Sequence, residues 1–426
     1  MIKQNVLPFN LEITNDEITS HAGLALFGEF VTGVGLDRLV NKHLPDPCSN
    51  SGLAQGSYVT PLVLMFNGGG RSLEDMRVIK DDSGLRNVLG LRKIPSSCAI
   101  GDWLRRMGAG SGLAGLDIVN RALLASSLRK DNLSEYTLDI DATAIEAKKD
   151  SAKFTYKGFK GYMPMVGHLA ENGFVLFDEF REGNDSPGAR NLEFIKRCQS
   201  RMPKGKQIKY LRSDSAAYQA SIINHCESDG VKFAIGGDLD ISVREAIGSI
   251  PAGKWRKYRN GYIAETVHTM NKTKKSFRLI AIKRPVQGEL FSAEGNGVRF
   301  TVIASNRDES GEETVAWYNL RGDTSENRIK ELKIGFGMER MPCDDFKANA
   351  MFFRIGVLAY NLYVLFRIKA LPEGWSRHQV QTVRWRLYSM AGKVVRHAGR
   401  LILKVKESLF ELFLSIRKKS YELSIE

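Results

Sequence analysis

The sequence predicts an α/β protein, with strands and helices in a central region and helical segments on either side of it. Apolar residues recur at helical spacing over roughly the first 130 residues, and the pattern changes to strand alternation near Leu133. Short strand-like runs then fill 237–310 before helical spacing returns. With 426 residues, 43% of them hydrophobic, the chain can form two to three domains with a sizeable core.

The charge balance indicates a polyanionic partner. Lys and Arg number 62 and Asp and Glu 48, so the formal net charge is +14. Nucleic acid is the most frequent partner of such a protein, and a membrane surface is the alternative. No apolar run is long enough to span a membrane, and Met351–Phe366 is predicted as a buried helix because it carries Arg354 and Asn361.

Cellular location and metal preference can be predicted from what the sequence lacks. The N-terminus has no apolar signal core, so we expect a cytoplasmic protein. The five cysteines form no CxxC pair, which excludes a zinc-finger pattern, and neither HxxxH nor HExxH occurs. Metal chemistry would therefore use carboxylates, which favours Mg2+ or Mn2+ over Zn2+.

The N-terminal region is predicted to be mainly helical. Phe27–Leu44 and Pro61–Leu104 have apolar residues at helical spacing, with a break at Asn67–Gly70. A helix–helix turn with Ser72 as a cap explains this glycine triplet better than a phosphate-binding loop does, because no Gly-Lys-Ser/Thr follows it.

Two carboxylates are predicted at the ends of strands in the central region. Tyr136–Thr143 alternates and is β-rich, so Asp139 and Asp141 should point to one side. A buried-strand pattern at Gln207–Asp214 ends in Asp214, at the strand end where α/β sheets place active groups. Between and after these strands we expect a basic loop at Lys157–Pro164, strands at Met165–His168, Phe174–Arg181 and Val231–Ile235, and helices at Arg190–Met202 and Ala216–Ser228.

Residues 237–310 are predicted to form a β-rich insertion, and the C-terminal part to be helical. The insertion contains basic, strand-like runs at Trp255–Tyr262, Phe277–Lys283 and Val298–Ala304. An apolar helix is expected at 349–369, followed by helices with a basic tail at 374–426. Eight Lys or Arg and no acid lie between Glu373 and Glu407, although such a charge run is often only a solvated face.

The stretch Tyr318–Lys333 combines a carboxylate with several cations. It is predicted as a loop entering a helix, with Asp323 as the N-cap and Glu326 completing a capping box. Gly335 and Gly337 would end the helix. Glu326, Lys330 and Lys333 would share one face of this helix. On such a face the carboxylate could bind a divalent metal while the two lysines bind a phosphate backbone. A solvated helix with an ordinary Glu–Lys pair explains this stretch alone equally well.

Asp141, Asp214 and Glu326 together form the set that phosphodiester chemistry needs. Carboxylates can hold two Mg2+ ions about 4 Å apart, which activate the attacking oxygen and stabilise the leaving one. Any single Asp is more often structural, so the combination carries the hypothesis.

The chain resembles the DDE transposases of bacterial insertion sequences, in the branch whose ribonuclease-H-like domain carries a long β-rich insertion. The resemblance covers roughly residues 20–410 and rests on Leu138–Thr143, on Leu211–Ser215 with Tyr218, and on Tyr318, Arg321, Glu326 and Lys333. The apolar helix with Ala359–Leu362 also recurs in this branch. Glu326 lies one residue further from Arg321 than in the best-known form of the signature.

The resemblance implies a ribonuclease-H-like mixed sheet and specific roles for the motif residues. Asp141, Asp214 and Glu326 would hold two Mg2+ ions, for which Mn2+ can substitute. Asp139 is the rival for the first position; Asp141 is favoured because the family pattern is an Asp followed two residues later by Thr. The DNA-binding residues would be Tyr318, Arg321, Lys330, Lys333 and Trp255.

Trp255 is a candidate for stacking on a base extruded during hairpin formation, as a Trp in the insertion does in relatives. In those sequences the Trp tends to lie just before the later strand, where this chain has Met270–Thr273. A packing or plain DNA-contact role for Trp255 is therefore favoured over stacking.

The predicted function is a transposase that binds the terminal inverted repeats of its element, cleaves DNA and transfers the strand to target DNA. Double-stranded DNA and a homodimer in a synaptic complex are the expected partners. The alternatives are a non-catalytic DNA-binding relative, a nuclease of the same fold that only hydrolyses and, more weakly, a basic membrane-surface protein. The predicted regions are 1–130 (helical, DNA-binding or dimerisation), 131–236 (catalytic domain, first part), 237–310 (insertion), 311–372 (catalytic domain, second part) and 373–426 (basic, helical).

Overall fold

The N-terminal region is helical, as predicted from its apolar spacing. The structure is a computed structural model that describes residues 9–47, 52–285 and 298–424. Ser72 and Asp75 form a capping box after the glycine triplet, so the predicted helix–helix turn is confirmed. The elements here are β1 (Glu17–Thr19), α1 (Ala22–Gly33), α2 (Leu36–His43), α3 (Gly56–Gly68), α4 (Met76–Asp81), α5 (Ser83–Leu89), α6 (Ser97–Ala109) and α7 (Gly112–Arg129).

A mixed sheet with helices follows, as expected for the central region. Its predicted strands are confirmed, but the predicted basic loop contains β5, which pairs with β3 and β4 in a small separate sheet. The elements are β2 (Glu135–Ala142), β3 (Ile145–Glu146), β4 (Lys153–Phe154), β5 (Lys160–Tyr162), β6 (Met165–Leu169), β7 (Val175–Glu179), α8 (Asn191–Gln199), β8 (Gln207–Ser213), α9 (Ala220–Asp229) and β9 (Lys232–Gly236).

The strands predicted in the insertion are present and continue the central sheet. β13 pairs antiparallel with β9, so one nine-stranded sheet has the order β10-β11-β12-β13-β9-β8-β2-β6-β7. Residues 286–297 of the predicted insertion lie outside the described residues, and the five region boundaries stay predictions. The elements here are α10 (Ile241–Gly248), which the sequence patterns did not predict, β10 (Arg256–Tyr258), β11 (Gly261–His268), β12 (Phe277–Pro285) and β13 (Val298–Ser305).

The long apolar helix predicted near residue 350 lies in the core. After α11 (Gly311–Arg321) and α12 (Asn327–Lys330), α13 covers Phe346–Lys369. By length and composition α13 could cross a membrane, but 83% of its apolar window is buried inside the protein. It packs against the helices α3, α6 and α7 and against strand β7.

Asn361 joins α13 to the edge of the central sheet. Its side-chain amide accepts from the backbone N–H of Val175 and donates to the C=O of the same residue, both at 2.8 Å. Asn120 of α7 receives the other amide proton at 2.7 Å. Because β7 is an edge strand, these bonds replace those of a missing neighbouring strand. The polar residue inside an apolar helix therefore has a structural task.

The purely helical prediction for 374–426 is wrong. A short helix, α14 (Val380–Val383), is followed by a hairpin of β14 (Gly392–His397) and β15 (Arg400–Lys404), and then by α15 (Glu407–Ser424). Ala398 and Gly399 have φ values of 48° and 75°, the backbone of a two-residue hairpin turn. β14 also pairs with β1, which ties this hairpin to the N-terminal region.

Candidate active site

Two adjacent parallel strands bring Asp141 and Asp214 to one edge of the sheet. β2 and β8 pair in parallel, and their last matched residues are Ile140 and Ser213. Asp141 and Asp214 follow these two residues directly, so both carboxylates lie at the same carboxyl end. Asp214 also accepts a hydrogen bond from the Ala216 N–H at 3.2 Å, which begins the next turn of helix.

The helix that carries Glu326 begins earlier than predicted. It runs from Gly311 to Gly335, with Ser310 as N-cap and Glu313 completing the capping box. We refer to Gly311–Gly335 as the signature helix. The predicted start at Asp323 and the predicted loop at Tyr318 are therefore wrong: a second capping pattern further upstream is the one used. The predicted end is confirmed, since Gly337 adopts a left-handed φ of 71° just beyond it.

A π-helical turn at Gly322–Glu326 explains the unusual spacing of the signature. A π-turn holds one residue more than an α-turn, so a single inserted residue is absorbed without rotating the flanking segments. Arg321 and Glu326, five positions apart, thus remain on the same face. Thr324 Oγ1 donates to the Leu320 carbonyl at 2.8 Å and satisfies an oxygen beside the widened turn.

A buried ion pair fixes the signature helix to the sheet. Arg212 donates to both carboxylate oxygens of Asp139 at 2.7 and 2.8 Å, and both side chains are excluded from solvent. The same guanidinium donates to the Trp317 carbonyl at 2.8 Å and to Thr324 Oγ1 at 3.2 Å. The carboxylate of Asp139 is therefore occupied by this structural ion pair beneath the candidate site. Asp141, on the same face of β2, remains 20% exposed.

The charges around Asp141 are crowded. Burial raises its pKa to about 6; the nearby Arg321 guanidinium opposes this shift, while the charges of Asp214 and Glu326 add to it. The Arg321 Nη2 lies 3.2 Å from Asp141 Oδ2. Burial lowers the pKa of Arg321, but the charges of Asp141 and Asp214 outweigh burial and the pKa is raised. Asp214 and Glu326 thus each lie within electrostatic range of Asp141.

Tyr318 belongs to the same cluster. Its hydroxyl lies beside Gly236, at the end of β9, where an added Cβ would come within 2.9 Å of it. Burial raises the pKa of Tyr318, and the charges of the carboxylates add to this shift.

Lys333, Lys330 and Trp255 differ in their relation to the cluster. Lys333 donates to the Ala144 carbonyl at 2.8 Å, just beyond the end of β2, and burial lowers its pKa. Lys330 is exposed on the signature helix. Trp255 directly precedes the edge strand β10 and packs against Phe300, with ring centroids 6.0 Å apart. This contact agrees with the favoured packing role.

The donor chemistry of the cluster suits a hard divalent cation. Asp141, Asp214 and Glu326 offer only carboxylate oxygens, which Mg2+ and Mn2+ prefer, and a cation between them would relieve their mutual repulsion. Within the described ranges, however, no three His, Cys, Asp or Glu side chains stand close enough to form a metal-binding group. Arg321 is the cation beside Asp141 in this arrangement.

The family comparison decides the class of the protein. The model of the family described as transposase DDE domain group 1 matches residues 6–412, nearly the whole chain. The chain belongs to the DDE transposase family. This membership confirms the resemblance drawn from the motifs and the ribonuclease-H-like, mixed α/β fold class. DDE transposases act on DNA and generally use divalent metal ions. No curated protein matches the chain.

The residues that position this candidate site were only partly recognisable in the sequence. Asp139 stood out as a rival carboxylate, but nothing marked Arg212 as its partner, because the pair joins positions 73 residues apart. Arg328 was also missed: it donates to the carbonyls of Leu169 and Ala170 at 2.8 and 2.7 Å, which holds the signature helix against the turn after β6.

Proposed function

We propose that the protein is a transposase that cleaves the ends of an insertion sequence and joins them to target DNA. The observation that carries this proposal is that the charges of Asp214 and Glu326 both act on Asp141, in a chain that belongs to the DDE family. The net charge of +14 supports a DNA partner. Terminal inverted repeats as the binding sites, a cytoplasmic location and a homodimeric synaptic complex are parts of the same proposal.

In the proposed mechanism the three carboxylates would hold two Mg2+ ions. Bound there, the ions would supply Lewis-acid chemistry: they would lower the pKa of the attacking water or 3′-hydroxyl and stabilise the leaving oxygen. Arg321, Lys333 and Tyr318 would hold the phosphates of the cleaved end, with Lys330 contacting the backbone further out. Trp255 is retained as a plain DNA contact. The protein contributes positioning and charge stabilisation, without a covalent enzyme intermediate.

Arg321 has a specific part in this mechanism. Its guanidinium now lies against Asp141 and partly compensates the crowded carboxylates. Binding of metal would leave this guanidinium free to turn towards a DNA phosphate on the same face. Tyr318, one turn earlier on the signature helix, would contact the same end.

One experiment separates catalysis from structure. The protein is incubated with DNA that carries its element's ends, with and without Mg2+, and the ends and joints are mapped. Asp141→Ala and Glu326→Ala should abolish Mg2+-dependent cleavage and leave end binding within about 2-fold, because both residues act on the metal and not on the DNA grip. Equal loss of binding and cleavage would mean that the carboxylates are structural.

A DNA-binding relative without cleavage activity is the second candidate. It is favoured by the absence of a three-residue metal group among the described side chains and by the Arg321–Asp141 contact. It predicts end binding with no cleavage at any Mg2+ or Mn2+ concentration. Pre-cleaved ends serve as a further control, because a nuclease that only hydrolyses would yield no strand-transfer product from them.

A further inference from the structure

Two aromatic rings are exposed on a basic hairpin that the proposed mechanism does not use. Phe154 and Tyr156 are 63% and 65% exposed. They lie on residues 153–160, which connect β4 to β5 in the small sheet and which we call the aromatic hairpin. Neighbouring apolar side chains that are exposed together and rimmed by polar residues can mark an interaction site.

Hydrogen bonds hold the backbone of the aromatic hairpin, and this backbone places both rings on the same side. Thr155, between the two rings, is buried, and both its N–H and its hydroxyl donate to the Phe159 carbonyl, at 2.7 and 2.9 Å. Gly158 adopts a left-handed φ of 84° at the tip. Because successive residues of an extended chain point to opposite sides, the inward Thr155 places Phe154 and Tyr156 together on the outer side.

A lysine ammonium group lies near each ring. Lys157 Nζ lies 5.7 Å from the centre of the Tyr156 ring, and Lys160 Nζ lies 5.9 Å from that of Phe154. Residues 148–160 contain five lysines and one acid. Aromatic faces with neighbouring cations are the combination by which proteins bind single-stranded nucleic acid: the bases stack and the cations hold the backbone.

The aromatic hairpin adjoins the candidate active site. β3, the first strand of its small sheet, begins four residues after Asp141. The charge of Lys157 contributes to the lowered pKa of Lys333. An open groove of about 750 Å3 is lined by both Lys333 and Phe159 of the hairpin. A strand that left Asp141 along this groove, past Lys333, would therefore reach the aromatic hairpin.

We propose that the aromatic hairpin binds the unpaired DNA strand next to the cut, with Phe154 and Tyr156 stacking on its bases and Lys157 and Lys160 holding its phosphates. The inference rests on the proposed function, because it needs DNA at the carboxylates. It assigns base stacking to this hairpin and not to Trp255, whose ring packs against Phe300.

Binding of two DNA probes in EDTA tests the proposal without cleavage. One probe is a blunt duplex, and the other is the same duplex with a single-stranded oligo-dT tail that contains one 2-aminopurine. Phe154→Ala and Tyr156→Ala should each weaken binding of the tailed probe about 5- to 100-fold and reduce the fluorescence quenching of the 2-aminopurine. Binding of the blunt probe should change less than 2-fold, since the phosphate contacts remain.

Matched variants keep the result interpretable. Tyr156→Phe retains the ring and should bind the tailed probe as the wild type does. Phe410→Ala removes a ring that is 54% exposed on α15, away from the groove, and should change neither probe. Equal losses on both probes, or no loss on the tailed one, would overturn the stacking proposal. A wild-type protein that binds neither probe would instead contradict the proposed function.

Discussion

Replacing Asp141 with asparagine should stabilise the metal-free protein while it abolishes DNA cleavage. The pKa of this carboxyl is about 6 in the folded chain, against 3.8 without the fold. The folded state therefore holds the proton more tightly than the unfolded state, and stability is lost as the pH rises from about 4 to about 6. The difference of roughly 2.2 pKa units corresponds to about 3 kcal/mol. Asparagine cannot ionise, so it avoids this loss.

The assay is guanidinium unfolding in EDTA at pH 7.5 and at pH 4. At pH 7.5 the Asp141→Asn variant should be up to about 3 kcal/mol more stable than the wild type, or about 3 °C higher in Tm. At pH 4 the difference should nearly vanish, because the wild-type carboxyl is then protonated. Mg2+ should raise the Tm of the wild type and leave that of the variant unchanged.

Asp139→Asn is the matched control, two residues away on the same face. It weakens the bidentate pair with Arg212, which is buried, so a loss of about 3 kcal/mol is expected at pH 7.5. A destabilised Asp141→Asn variant, or a gain that does not depend on pH, would refute the argument that the Asp141 carboxylate sits in a charge-crowded site.

Three further changes test other parts of the structure. His168 is fully buried, and burial lowers its pKa to about 3, so the free energy of unfolding falls as the pH drops below 6.5. Between pH 7 and pH 5 the His168→Leu variant should lose about 2 kcal/mol less of this free energy than the wild type does, because leucine takes up no proton. Urea unfolding at the two pH values measures the difference. Deleting Gly322 should convert the π-turn to a regular α-turn and change the Tm by only a few degrees, because the π-turn holds one residue more than an α-turn. Deleting the exposed Ala316 from a regular α-helical turn should instead unfold the signature helix. Circular dichroism would report the loss of helix. Lys333→Ala should reduce the salt dependence of DNA binding by about one phosphate contact.

Local patterns predicted most of the elements, and the failures share a cause. Alternation identified β2 and β8, and the position of Asp214 after a strand identified the sheet edge. The start of the signature helix was predicted too far along the chain, because Asp323 and Ser310 both fit an N-cap pattern. Contacts of Trp317 and Arg321 with the sheet favour the longer helix, and local sequence does not show them. The β14–β15 hairpin was missed because its turn uses Ala398, a residue that seldom adopts a left-handed backbone.

The sequence supplied a set of candidate site residues but could not supply their arrangement. Spacing along the chain suggested that Arg321 and Glu326 were out of phase by one residue, and spacing alone cannot distinguish an α-turn from a π-turn. The hydrogen bonds of Thr324 to Leu320 and to Arg212 support the wider turn from both sides. They involve carbonyl groups and a distant strand, neither of which has a signal in the local sequence.

Strand β2 shows how a sheet edge with several carboxylates close to it can be tolerated. Asp139 and Asp141 lie on the same face, two residues apart, and differ in how their charge is met. Asp139 has a buried, bidentate partner in Arg212 that also holds the signature helix. Asp141 has one contact of 3.2 Å with Arg321 and keeps a pKa of about 6. The Arg212–Asp139 pair ties β2 to the signature helix, so Asp141 and Glu326, which these two elements carry, cannot easily relieve their repulsion by moving apart. A cation bound between these carboxylates would relieve their repulsion, and the free energy released in this way would strengthen its binding.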